Sequence, residues 1–140
     1  MTVTIKVTDD IDACHALRRL VFIEEQNVSE AEEVDGLDDQ ALHLLATDGT
    51  TPIGCARILI KGETAKIGRV CVVQSHRGQG IGAALIAGCL ETISKDSTLR
   101  RAVLGAQLHA LTFYEKLGFR AFGPIYDDAG IDHRDMERLL

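Results

Sequence analysis

The chain is short of positive charge: 15 Lys and Arg stand against 21 Asp and Glu in 140 residues, a formal net charge of −6 at pH 7. That balance argues against a nucleic-acid partner, which needs basic patches, and favours cationic ligands. No apolar run approaches the roughly 18 residues that read as a membrane-crossing helix, so no membrane partner is expected. The N-terminal stretch lacks a basic segment leading into an apolar one; no secretory signal is expected, and the cytoplasm is the expected location. No Cys-x-x-Cys pair occurs. Cys14, Cys55, Cys71 and Cys89 have apolar or small neighbours, as buried thiols of a reducing compartment do. The five histidines are scattered without ligand spacing, so no metal is expected. Repeats, low-complexity tracts and interdomain linkers are missing too. One domain over 1–140 is expected, long enough to bury roughly 68–70% of its unfolded surface.

What is present reads as a mixed α/β chain. Thr2 to Val7 alternates as a half-buried strand does. Asp9-Asp10 is a helix-entry signal, and Ile11, Cys14, Leu17, Leu20 and Val21 recur at helical spacing, predicting a helix from Ile11 to about Ile23. Ala41 to Thr47, Ile53 to Ile60 and Ala65 to Val73 form an antiparallel meander, turning at Asp48-Gly49 and Lys61-Gly62-Glu63. A helix follows to about Lys95, with Ile81, Leu85, Cys89 or Leu90, and Ile93 on its apolar face; Gly88 suggests close packing. Arg101 to Ala106 is a fifth strand, expected parallel to the strand before that crossover helix. Gln107 to Leu117 reads as a helix stopped by Gly118. Phe119 to Tyr126 is a sixth strand, Asp127 to Gly130 a turn, and Arg134 to Leu140 a short last strand.

Between Glu24 and Asp39 the composition changes. Sixteen residues hold eight acids and no Lys or Arg. Such a run is either a solvated loop, with a short helix around Ser29 to Glu33, or an electrostatic lip for a cationic substrate.

The stretch that organises the chain is Gly68 to Ile86. An apolar run, Val70 to Val73, leads through Gln74 to Arg77 into Gly78-Gln79-Gly80-Ile81-Gly82 and then a helix. A strand, a basic glycine-rich turn and a helix N-terminus aim several N–H groups at one spot, and glycine lets phosphates approach the backbone. The stretch reads as a diphosphate cradle. Gly78-x-Gly80-x-x-Ala83 formally meets the dinucleotide fingerprint. Four residues, however, separate strand and first glycine, and Glu91 and Asp96 come too early for a ribose acid. A P-loop fails because no Gly-Lys-Ser/Thr follows.

Arg77-x-x-Gly80-x-Gly82 after a strand resembles the acetyl-CoA motif of the GNAT superfamily of N-acetyltransferases. Gln107-x-x-Ala110-x-x-Phe113-Tyr114-Glu115-Lys116-Leu117-Gly118-Phe119 resembles the family's late motif, with Gln107 where asparagine is usual. Val21-Phe22-x-x-Glu25-Gln26, His43 and Gly130-Ile131-x-His133 resemble the ElaA/YjcF-like branch. The resemblance covers essentially the whole chain. It implies the acyl-CoA N-acyltransferase fold: a twisted, mostly antiparallel sheet flanked by helices, whose parallel fourth and fifth strands splay apart.

The resemblance further implies acetyl-CoA as co-substrate and an amine as acceptor, with a homodimer left open. Cys71, Val72 and Val73 would pair with the pantetheine arm. Arg77, Gly78, Gln79, Gly80, Ile81, Gly82 and Ala83 would hold the diphosphate, and Gln107 would touch the arm. A backbone N–H around Val73 is the oxyanion donor the family suggests, and Tyr114 stands where its members carry the acid for the departing thiolate. The glutamate that some members carry in the fourth strand is missing from Lys66-Ile67-Gly68-Arg69. Glu25 and His43 are the first candidates for the base, with His109 and His133 beside them. Arg57 and Arg69 would orient a substrate carboxylate or pair with the acidic run. A CoA-binding regulator without catalysis and a dinucleotide-dependent oxidoreductase are the rival readings.

Overall fold

The computed structural model describes residues 2–140. Strand β1 (Val3–Thr8) leads into helix α1 (Ile11–Arg18), whose N-cap Asp10 accepts a hydrogen bond from the Ala13 N–H at 3.1 Å. Beyond Arg18 the helix does not continue as predicted to Ile23 in α form. It widens into a π-helical turn, Arg19–Glu25, in which the Gln26 N–H reaches back to the Val21 carbonyl. Asn27, with φ +58°, ends it in the left-handed conformation. Helix α2 is one turn, Glu30–Glu33, capped by the Ser29 side chain. Strands β2 (Leu42–Asp48), β3 (Thr51–Lys61) and β4 (Thr64–Val72) form the predicted meander. Helix α3 is Ile81–Ser94 and strand β5 Arg101–Gln107.

The next predicted helix begins as a 3₁₀ turn, Leu108–Ala110, and becomes α4 only at Leu111–Lys116. Strand β6 (Arg120–Asp128) runs through the first half of the predicted Asp127–Gly130 turn. Strand β7 (Ile131–Leu139) is longer than the short strand predicted from Arg134. Its polar residues can lie in a strand because β7 is inserted between β5 and β6, paired antiparallel with both.

The sheet order is β1-β2-β3-β4-β5-β7-β6. Every neighbouring pair is antiparallel except β4 and β5. Those two pair in parallel through Thr64↔Arg101, Ala65↔Ala102 and Lys66↔Val103, and then part. A bulge in β4, with Arg69 at φ +53°, shifts the β3–β4 register just where the separation begins.

Two apolar clusters hold the layers together. On one face, α3 buries Ile81, Leu85, Ile86, Cys89 and Ile93 against Leu44, Ile53, Ile58 and Ile67. Full burial of each such aliphatic side chain contributes about 1.5–3 kcal/mol. Gly88 permits this approach, since a Cβ there would lie 3.0 Å from Leu44 and 3.2 Å from Ile5. In the second cluster Cys14, Leu17 and Val21 pack on Cys55 and Cys71. All four cysteines are buried and unbridged. No helix among the described residues is long and apolar enough to cross a membrane.

Candidate active site

Where β4 and β5 part, a cleft of about 390 Å³ opens. Its walls are Ile67 to Val70 of β4, Leu104 to Gln107 of β5, Phe22 and Gln26 around the end of the π-helical turn, Tyr114 of α4, and the β6–β7 turn region with Tyr126 and His133. Phe22 and Gln26, four residues apart, both reach the cleft, and Gln26 accepts a hydrogen bond from the Gln107 amide at 3.2 Å. The Gln107 carbonyl accepts from the His109 ring at 2.7 Å. One hydrogen of the Gln107 amide group remains beyond these two bonds.

The β4 edge supplies backbone groups. Val73 donates its N–H to the Ile53 carbonyl at 2.9 Å, within the sheet. Successive residues of a strand turn their polar groups to opposite sides, so the Val72 N–H faces away from β3, towards the gap. Of the backbone donors around Val73, pairing with β3 consumes that of Val73 itself. The Val72 carbonyl accepts from the Arg77 Nε at 2.9 Å, and the Cys71 side chain belongs to the second apolar cluster.

Past Val73, Gln74–His76 form a 3₁₀ turn and the chain enters the glycine segment. Gly78 and Gly80 have φ of +77° and +78°, and a Cβ on either would meet nothing within 4 Å. Glycine is therefore needed for backbone conformation there, and the space beyond is open. Gly80 is the N-cap of α3 and offers no side chain, so the first N–H groups of a 14-residue helix are uncapped. Uncapped donors and the positive end of the helix dipole are what an anionic group needs. Gln79 lies exposed between the two glycines, while Ile81 is anchored in the core.

Tyr114 is packed edge-on between Phe113 and Phe119, with ring centroids 5.0 and 6.1 Å away. Phe113 is 40% exposed; Tyr114 packs against the core and also lines the cleft. Burial pushes its hydroxyl pKa up to about 12, so it keeps its proton at neutral pH.

The base candidates fare differently. His43 is only 2% exposed. Its Nδ1 accepts from Arg18 at 3.0 Å, which makes Nε2 the protonated nitrogen that donates to the Asp38 carbonyl at 3.0 Å. Both nitrogens of this base candidate are engaged, and His43 is not among the residues that line the cleft. Glu25 forms a two-pronged ion pair with Arg77 at 2.8 and 3.0 Å, tying the end of the π-helical turn to the glycine segment. Arg77 is thereby held by a carboxylate as well as by Val72. His109 and His133 both line the cleft.

The acidic run is not a bare field. Asp35 bonds Arg57 at 2.9 and 2.8 Å and Arg69 at 3.3 Å. Asp38 bonds Arg18 and Arg57, and its other partner is His15 at 2.7 Å. Glu30 pairs with Arg19, and Glu33 faces Arg69 at 3.6 Å. Arg57 and Arg69 thus take the second of their two expected roles, neutralising this loop. The Arg57 hydrogen bonds hold the Asp35 carboxyl below its ordinary value. Burial alone would raise Asp38; hydrogen bonds from His15, Arg18 and Arg57 outweigh it and hold that carboxyl well below the usual carboxylate range.

Comparison with known proteins agrees with this geometry. Residues 15–140 match the family described as acetyltransferase (GNAT) domain. The uncharacterized N-acetyltransferase YjcF of Bacillus subtilis is 38% identical over 121 residues, covering 86% of each chain. The crystal structure of Escherichia coli ElaA superposes with a TM-score of 0.86 at 30% identity, covering 98% of this chain and 99% of that one. A GNAT acetyltransferase of Elizabethkingia anophelis, solved with acetyl-CoA bound, shares the fold at 20% identity and a TM-score of 0.76, with 99% and 98% covered. With its parted parallel strands, its uncapped glycine turn and these matches, the chain belongs to the GNAT family of acetyltransferases.

Proposed function

We propose that the protein transfers the acetyl group of acetyl-CoA to a primary amine by direct attack in a ternary complex. The observation that carries this reading is the edge of β4 left unpaired by β5 beyond Lys66, which leads from the cleft lined by Tyr114 towards the turn before the uncapped N-terminus of α3. The residues fit the co-substrate. Gly78 to Ala83 offer backbone donors over open space for the diphosphate, and Arg77 lies beside them once it exchanges Glu25 for phosphate. The edge of Cys71 to Val73 accepts the pantetheine arm as an added strand. Gln107 supports the arm from the β5 side. Acetyl-CoA supplies the activated thioester.

The chain's own groups then divide the work. The Val72 N–H faces charge developing on the thioester oxygen. Tyr114, protonated across the neutral range, gives its proton to the departing sulfur. The amine nitrogen forms the new bond to the acetyl carbon as the carbon–sulfur bond breaks, and the nitrogen's surplus proton goes to a base on the acceptor side. An ordinary alkylamine, with a pKa near ~10.4, arrives mostly protonated at pH 7 and needs that base. Calorimetric titration with acetyl-CoA, followed by thiol release against a panel of monoamines, polyamines and lysine peptides, tests the reading. Tight binding with amine-dependent release is expected; binding with no release from any amine overturns the catalytic part.

A further inference from the structure

We infer that His133 is the general base that takes the proton from the attacking amine; this rests on the acetyl-transfer reading above. Strand register places His133 opposite Gln107 on β5 and opposite Tyr126 on β6. Directly paired residues project from the same face of a sheet, and all three line the cleft. His133 therefore sits one strand from the residue assigned to the pantetheine arm, in the same cleft.

The ring is held and its tautomer is set. Nδ1 lies 2.8 Å from the Ile131 carbonyl. A carbonyl oxygen can only accept, so Nδ1 carries the proton and Nε2 of the neutral ring keeps its lone pair. The imidazole is stacked on Tyr126, with centroids 5.9 Å apart and planes at 25°. Tyr126 is itself pinned by donating its hydroxyl to Asp135 at 2.8 Å. Gly105 makes room for that hydroxyl: a Cβ there would collide with it. A glycine, a tyrosine and an aspartate on three neighbouring strands thus fix one face of the histidine ring.

The other candidates lack this combination. His43 has both nitrogens engaged, and Glu25 is clasped by Arg77. His109 lines the cleft but is exposed on a 3₁₀ turn, where its Nε2–H serves to orient Gln107. In the proposed step Nε2 of His133 accepts the proton from the amine nitrogen. The freed lone pair forms the bond to the acetyl carbon, the carbon–sulfur bond breaks, and the sulfur takes the Tyr114 proton; the second proton, shed by the acylated nitrogen, passes through solvent to the Tyr114 phenolate. His133 then returns its proton to solvent.

The test has two arms. Nitrogen-15 NMR of the imidazole rings in the free, wild-type protein reads the tautomer directly and needs no acceptor: a neutral His133 ring protonated at Nδ1 is expected. In the second arm, His133→Gln and His133→Ala are assayed with an amine accepted by the wild type. Turnover should fall roughly 10²–10⁴-fold, the range for a lost general base, with calorimetric affinity for acetyl-CoA unchanged. Free imidazole should restore part of the loss in His133→Ala. A neutral ring protonated at Nε2, or His133→Gln turning over like the wild type, overturns the base assignment and leaves the acetyl-transfer reading standing. A wild type that acetylates no amine overturns both.

Discussion

Gly80→Ala separates what the glycine turn does for the fold from what it does for a ligand. At φ +78° an added Cβ strains the backbone, costing roughly 1–2 kcal/mol of stability. It touches no protein atom, because nothing lies within 4 Å of the added position. Any further effect must come from a ligand occupying that space. If the methyl pushes a diphosphate off two of the uncapped N–H groups of α3, each worth about 1.5 kcal/mol or more to a charged acceptor, the loss is about 3 kcal/mol. At about 1.4 kcal/mol per decade, acetyl-CoA should bind roughly 100-fold more weakly. Gly49→Ala is the matched control, with φ +61° and equally open surroundings, but in the β2–β3 turn. Urea unfolding should show similar destabilisation in both variants, and calorimetry should show weakened acetyl-CoA binding in Gly80→Ala alone. Equal affinity in a folded Gly80→Ala protein would remove the diphosphate assignment.

Tyr114→Phe keeps the edge-on packing and removes the proton held up to about pH 12; kcat should fall roughly 10²-fold at neutral pH with acetyl-CoA affinity unchanged. Glu25→Gln frees Arg77: stopped-flow and calorimetry should show acetyl-CoA binding tightened by no more than about fivefold, since exposed ion pairs are worth ~0–1 kcal/mol. A large fall in kcat in that variant would instead make Glu25 the base. Asp38→Ala leaves Arg18 and Arg57, at 0% and 5% exposure, without their shared carboxylate, and should cost about 3–5 kcal/mol in urea unfolding. Because the folded-state pKa values of Asp35 and Asp38 are depressed, their stabilisation is complete above the ordinary carboxylate value of ~3.9. It is lost as pH falls below that value towards the folded ones, and Asp38→Ala should flatten this acid limb.

Much of the architecture was legible because local rules and tertiary packing agree. The glycine turns, the meander and the apolar face of α3 follow from patterns a few residues long, and Cys89 rather than Leu90 proves to be the buried member of that face. The π-helical turn was not legible: Leu20, Val21, Phe22 and Ile23 satisfy helical spacing whether the turn is tight or wide. Strand β7 starts at Ile131 rather than at Arg134 because Asp132, next to the turn, looks like a loop residue until β6 pairs with it. The acidic run was legible in part: its short helix and its pairing with Arg57 and Arg69 stood among the expected alternatives. Its partners Arg18, Arg57 and Arg69 lie far off in sequence, and only the fold brings them to Asp35 and Asp38. At the site, the glycine turn and Tyr114 could be located from motifs, whereas the engagement of His43 and the free nitrogen of His133 depend on hydrogen bonds that spacing does not encode.

Direct transfer from acetyl-CoA to an amine is tested most directly by a single turnover with isotopically labelled acetyl-CoA, followed by mass spectrometry of both protein and small molecules. Thiol should be released only when amine is present, the label should appear on the amine nitrogen in equal amount, and the mass of the protein should not change. Label left on the protein, on Cys71 or any other side chain, with thiol released before amine is added, would contradict attack in a ternary complex. Bound acetyl-CoA that no amine discharges would contradict transfer altogether.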